Sequence, residues 1–105
     1  MRRLFFHDPR EFNELADLVV SVALPGFTKS LHVGLNLGGG DYYKFESGGS
    51  EMLFVHNDPD HADVYVPEYA AYLYSLYIHR GDPALLDMAS TALEKIGISC
   101  VAGHG

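Results

Sequence analysis

Apolar residues recur at two different periods along this chain, and the switch between them lays out its elements. Phe12, Leu15, Ala16, Val19 and Ala23 fall at three- and four-residue intervals, the single stripe of an amphipathic helix. The flanking residues agree. Asp8 is a candidate N-cap, Pro9 suits the first helical position, Glu11 stands where a capping box needs it, and Pro25 with Gly26 cannot continue the helix. A second stripe, Leu86, Ala89, Leu93 and Ile96, runs through "GDPALLDMASTALEKIG". Asp82 caps it, Pro83 opens it, Lys95 suits its C-terminal dipole and Gly97 is its C′ residue.

Between the helices the period drops to two. "LHVGLNL" (31–37) alternates, with Leu31, Val33, Leu35 and Leu37 on one side, and "YYKFES" (42–47) alternates with Tyr43 and Phe45 inward. "GGGD" (38–41) and "GGS" (48–50) are the turns. "EMLFVHN" (51–57) is apolar on both sides from Met52 to Val55, as suits a central strand with helices on one face and side chains or a partner on the other. "RLFF" (3–6) reads as a short edge strand, "ADVYVPEY" (62–69) as an extended segment stopped by Pro67, and "ISCVAG" (98–103) as a closing strand. In "AAYLYSLYIHR" (70–80) the alanines favour helix, whereas the aromatic and β-branched residues favour a strand from about Tyr72 to His79; the strand is preferred. The expected fold is one α+β domain over 1–105. It holds an antiparallel sheet of four to six strands, two helices packed on one face, and a closing β-α-β unit.

Composition narrows the class. With 48% hydrophobic residues in 105, the chain can build a core without a staple, and its lone Cys100 cannot form an internal disulfide, which fits a reducing cytoplasm. "MRRLFFHDPREF" lacks the apolar run of a signal peptide, and "LADLVVSVALPGF" (15–27) is too short to span a bilayer, so neither export nor membrane insertion is expected. The formal charge is −7 and unevenly spread. Residues 1–40 balance, whereas 41–68 hold seven acids (Asp41, Glu46, Glu51, Asp58, Asp60, Asp63, Glu68) against Lys44 alone. Phosphate backbones would be repelled, which argues against direct nucleic-acid binding, and a basic protein would be attracted.

The densest chemistry is "HNDPDHAD" (56–63). His56, Asp58, His61 and Asp63 are metal-ligand types, but their spacing matches no EF-hand or H-E-x-x-H pattern, and "NDPD" reads as a turn capped by Asx side chains. No metal or cofactor is assigned. "LGGGDYYK" lacks the P-loop pattern, Cys100 sits in the apolar context of an inert thiol, and no catalytic residue is assigned, although a His–Glu pair formed by the fold stays open. Tyr65, Tyr69, Tyr72, Tyr74 and Tyr77 divide between core packing and interface area. The favoured binding surface is Asp58, Asp60, Asp63 and Glu68 for charge with Tyr65 and Tyr69 for contact area. The alternatives are a metal-assisted enzyme using His56 and His61, and a homo-oligomer packing through "MLFV" (52–55).

The segment "DYYKFESGGSEMLFVHNDPDHADVYVPEYAAYLYSLYIHRGD" (41–82), in an acidic, cysteine-poor chain with a closing β-α-β, resembles the small bacterial immunity proteins of contact-dependent inhibition and related polymorphic toxin systems. The resemblance is one of style and carries no site residue. It implies a cognate toxin, often a nuclease, whose basic cleft is blocked by acidic groups.

Overall fold

A computed structural model describes residues 2–33, 41–61 and 64–104. In chain order its elements are β1 (Arg2–Phe6), α1 (Phe12–Val22), β2 (Thr28–His32), β3 (Tyr42–Ser47), β4 (Ser50–His56), a 3-10 turn (Pro67–Tyr69), β5 (Tyr74–Arg80), α2 (Ala84–Lys95) and β6 (Cys100–His104). The strands form one antiparallel sheet in the order β2-β3-β4-β5-β1-β6, and both helices pack on the same face. This is the expected α+β architecture with six strands. No helix among the described residues is long and apolar enough to cross a membrane.

β2 through β5 form an antiparallel meander. Tyr43 and Phe45 point to the helices beside Met52 and Phe54, and Gly48 (φ +57°) turns the β3–β4 hairpin between the paired Ser47 and Ser50. β1 is not an edge strand. It lies between β5 and β6, with Leu4 opposite Leu76 on one side and Ala102 on the other. The closing β-α-β unit is therefore split: α2 carries the chain from β5 over β1 to β6, and the two outer strands run parallel to each other with β1 antiparallel between them.

Both helices start and stop for local reasons, with one displacement. Asp8 does not cap α1. Its Oδ1 accepts the N–H of Arg10 at 3.0 Å and its Oδ2 meets the Arg10 guanidinium at 2.8 Å, so Asp8-Pro9-Arg10 makes a turn and the helix begins afterwards, with Glu11 at the N-cap. Asp82 does cap α2, accepting from the N–H of Ala84 at 2.9 Å. At the other end Ile98 N–H donates to Leu93 C=O and Gly97 N–H to Glu94 C=O, with Gly97 at φ +91°; this is a Schellman motif, and Ile98 is buried as its hydrophobic partner. Leu15, Ala16 and Val19 from α1 and Leu86, Ala89 and Leu93 from α2 are all buried against Phe6, Phe45, Phe54 and Leu76. Ile96, expected in that stripe, is instead exposed.

β2 also departs from expectation. It runs over 28–32 rather than 31–37, because its pairing starts at Thr28 opposite Glu46. It is the edge strand, and Leu31 and Val33, which the alternation sets on one side, are 52% and 82% exposed. Leu35, Leu37 and the "GGG" of the predicted turn lie outside the described residues. No strand forms over 64–69, where Pro67 opens the 3-10 turn instead.

Candidate functional site

β4 and β5 are adjacent and antiparallel, so a two-residue turn could join them. The chain spends residues 57–73 on the connection instead. A connection of that length with one turn of helix is uncommon in a small domain unless it has a task. Here it crosses the sheet face opposite the helices. Val64 packs on Leu53, Val55 and Tyr77, the apolar residues of that face. The Tyr69 ring stacks on Phe5 with centroids 4.2 Å apart and planes 10° off parallel. This covering accounts for the doubly apolar "MLFV". The second face is closed by the chain itself, which removes the basis for an oligomer built on that strand.

Two buried polar residues hold the loop down. Asn57, with no exposed surface, donates through Nδ2 to the carbonyls of Tyr69 (2.9 Å) and Tyr72 (3.0 Å), and its Oδ1 accepts from Val66 N–H (2.8 Å). Its own N–H donates to Leu73 C=O at 2.7 Å. One side chain thus ties both limbs of the loop together. Arg3 pins the middle. Its Nη1 donates to Val64 C=O at 2.9 Å, its Nε and Nη2 donate to Ser75 Oγ, and its guanidinium lies 5.1 Å from the Phe5 ring and 5.2 Å from that of Tyr77. No carboxylate among the described residues pairs with it; burial pushes its pKa down, partly offset by the Tyr77 hydroxyl. Cation–π contacts and the carbonyl stand in for an anion.

The predicted surface residues fall on this loop. Asp60 and Glu68 are exposed and Tyr65 is half-buried. Asp58 is half-buried and engaged: its Oδ1 accepts from the N–H of Asp60 at 3.0 Å and meets His61 Nδ1 at 2.6 Å, the Asx turn that "NDPD" predicts. Tyr69 is half-buried, one ring face committed to Phe5. Asp63 lies outside the described residues. Of the other acids of 41–68, Asp41 precedes β3 at the loop end of the sheet, close enough to act on His56, whereas Glu46 lies toward the far end of β3. Glu51 is neutralised within the fold, its carboxylate meeting His79 Nδ1 (2.9 Å), the Arg80 guanidinium (2.7 Å) and Lys44 Nζ (3.4 Å). The charge that reads as one block in the sequence is thus split, and the loop holds only part of it.

Glu51–His79 is the His–Glu pair that the sequence leaves open. Hydrogen bonds from His79 and Arg80 hold the Glu51 carboxyl down at about 2. Both basic partners are mostly solvent-facing, so the arrangement is that of an ion network at a β-bulge, where Glu51 pairs with Arg80 and Met52 with Ile78.

His56 and His61 come together, but face to face. Their ring centroids are 4.5 Å apart and their planes 18° off parallel, while the other face of His56 lies on Phe12 at 4.0 Å. In stacked imidazoles the nitrogen lone pairs lie in nearly parallel planes and do not converge on one point. Among the described residues no three His, Cys, Asp or Glu side chains are placed to share a metal ion. Burial lowers the His56 pKa, and the neighbouring His61 lowers it further against the opposing pull of Asp58 and Asp41. Burial and Glu94 push the Cys100 thiol up to about 11, which disfavours its thiolate.

These shifts set a pH dependence. His56 binds its proton less readily folded than unfolded, so its contribution is complete above the unfolded value of about 6.5 and falls away below it. Glu51 contributes fully above about 4.5 and loses that contribution as pH falls towards about 2. Urea midpoints measured from pH 8 to pH 3 should therefore decline in two stages. His56→Gln should flatten the upper stage and Glu51→Gln the lower. An upper stage that survives His56→Gln would assign it to another group.

The chain matches no protein-family model, no curated protein and no solved structure.

Proposed function

We propose that this chain is a binding protein that neutralises a basic protein partner, a cognate toxin of the nuclease kind, in the cytoplasm. In this reading the loop 57–73 is the docking element. Asp60 and Glu68 supply open negative charge, Asp63 adds to it by sequence, Tyr65 and the free face of Tyr69 supply contact area, and Asp58 shapes the turn that carries Asp60.

The observation that carries the reading is the tethering by Asn57. A long acidic connection between adjacent strands is held at both limbs by a fully buried amide. A surface fixed before binding loses less conformational entropy on association, which is how a modest interface becomes a tight one. Glu51 on the sheet is neutralised within the fold, whereas Asp60 and Glu68 on the loop are exposed.

The test is a parallel capture. Wild-type protein and a variant carrying Asp58→Asn, Asp60→Asn, Asp63→Asn and Glu68→Gln are immobilised and exposed to extract of the native host, and the retained proteins are identified. The expected result is a basic protein held by the wild type and released as salt rises. Its association with the variant should be slower by about tenfold or more at low ionic strength. Asparagine at 58 keeps the turn-capping oxygen, so the variant should fold. A partner that binds both proteins at the same rate would place the interface elsewhere.

A further inference from the structure

Helix α2 carries two apolar stripes, and the sheet uses only one. Leu86, Ala89 and Leu93 are buried. Met88, Ala92 and Ile96 recur every four residues on another side of the same helix, with Met88 61% and Ile96 44% exposed. With Val22 at the end of α1 they line a shallow groove of about 650 Å³ whose rim is Asp87, Thr91 and Lys95. Thr91 bonds back to the carbonyl of Asp87, so its hydroxyl is already used and the groove floor stays apolar.

We propose that this groove is filled by α2 of a second copy, antiparallel, about a twofold axis passing near Ala92. The stripe is self-complementary in that arrangement. Met88 and Ile96 lie four residues to either side of Ala92, so reversing the helix sets each Met88 against the second copy's Ile96. The rim charges are centred on Thr91, one residue from Ala92, so Asp87 in the first turn lies two residues (about 3 Å along the axis) from directly facing the second copy's Lys95 in the last turn, an offset the lysine side chain spans, and the pairing occurs twice. A parallel arrangement would oppose Asp87 to Asp87 and Lys95 to Lys95. At the crossing point the small side chain of Ala92 lets the two axes approach to about 8 Å, the close end of the range for packed helices. The antiparallel order also opposes the two helix dipoles. A foreign helix could cover the apolar stripe, but a stripe flanked by an acid at one end and a base at the other is complementary to its own reversed copy, which selects this chain as its own partner.

The placement leaves the docking loop free. The groove lies on the outer side of the helix layer and residues 57–73 cross the opposite face of the sheet, so a dimer presents two loops pointing away from each other. The contact is small. Two helices of three turns bury less than the ~800 Å² per partner of a standard interface. Association should therefore be concentration-dependent, with a dissociation constant roughly between 10 and 100 μM.

Sedimentation equilibrium from about 5 to 500 μM, at ~0.15 M salt to screen the repulsion between two acidic chains, reads this directly. The expected result is a monomer–dimer equilibrium that Met88→Glu abolishes with the circular dichroism spectrum unchanged. Lys95→Glu should weaken the dimer by about fivefold, and adding Asp87→Lys to it should restore most of the loss, because the rim charges are then exchanged rather than removed. Asp87 also meets Arg2 at 2.5 Å, but that pair is exposed and its loss does not bear on folding. In a Cys100→Ser background, Ala92→Cys should give a disulfide-linked dimer on mild oxidation, while Glu68→Cys on the opposite face should not. A protein that stays monomeric at ~500 μM overturns the proposal, as does a dimer indifferent to Met88→Glu or one in which the exchanged charges restore nothing.

Discussion

Asn57→Ala should cost the protein about 3–5 kcal/mol of stability, the largest effect expected of any single polar substitution in it. The side chain makes three hydrogen bonds to backbone in a site with no solvent exposure. Removing it leaves Val66 N–H and Tyr72 C=O without that partner, each at about 1–3 kcal/mol when no water reaches it, while Tyr69 C=O keeps the N–H of Tyr72. Relaxation of the loop recovers part of that sum. Against a total stability of about 5–15 kcal/mol, the remainder is a large fraction. Urea unfolding followed by circular dichroism measures it. Amide exchange separates the mechanism, because the Val66 amide should exchange at least tenfold faster while the amides of β4 and β5 follow global stability only. A loss below ~1 kcal/mol would show that the loop is held by its apolar contacts, and the preorganisation argued for the binding surface would go with it.

The same residue marks what the sequence conceals. Asn57 stands among five other polar or turn-forming residues in "HNDPDH", and read locally such a stretch is a solvated turn. Half of that is right, since Asp58 does cap the turn through the Asp60 amide. Burial of Asn57 depends on the later arrival of residues 66–73 over it, which no local pattern encodes. Arg3 is concealed in the same way. A charged residue in "RLFF" next to the chain start suggests an edge, yet β1 is interior because it pairs with Tyr74–Tyr77 and with Cys100–His104, both far away in sequence. What could be read correctly was set within a turn or two of chain: the stripes of both helices, the Asp82 cap, the Gly97 stop and the Gly48 hairpin. Where local signals competed, the boundary moved. Asp8 satisfied Arg10 before it could cap α1, and the alternation of Leu31 and Val33 lost to pairing that begins at Thr28. The acidic block shows the limit for function. Counting charge along 41–68 cannot reveal that a bulge in β5 delivers His79 and Arg80 to Glu51.

Gly103→Ala should destabilise the protein by about 2–3 kcal/mol, and nearly all of that should vanish in a Tyr69→Ala background. Gly103 lies opposite Arg3 on the loop-covered face, where Tyr69 stacks over Phe5. A Cβ at 103 would come within 2.7 Å of Tyr69 Cε2 and closer still to Cζ and the hydroxyl oxygen. The backbone there is ordinary strand, so the glycine serves space rather than an unusual φ. The ring can relieve the overlap only by leaving Phe5, which is fully buried beneath it. Exposing about 100 Å² of apolar surface at ~25 cal/mol per Å² gives the magnitude expected. Tyr69→Ala loses the same contact by truncation, and alanine at 103 then meets open space and gains the better strand propensity, so the double variant should be no less stable than Tyr69→Ala alone. The cycle thus predicts a coupling of about 2 kcal/mol between a glycine on the last strand and a tyrosine on the loop. Additive losses would mean that Tyr69 does not seat on β6. The edge of its ring would then be open to a partner, and Tyr69 would be held by its stack on Phe5.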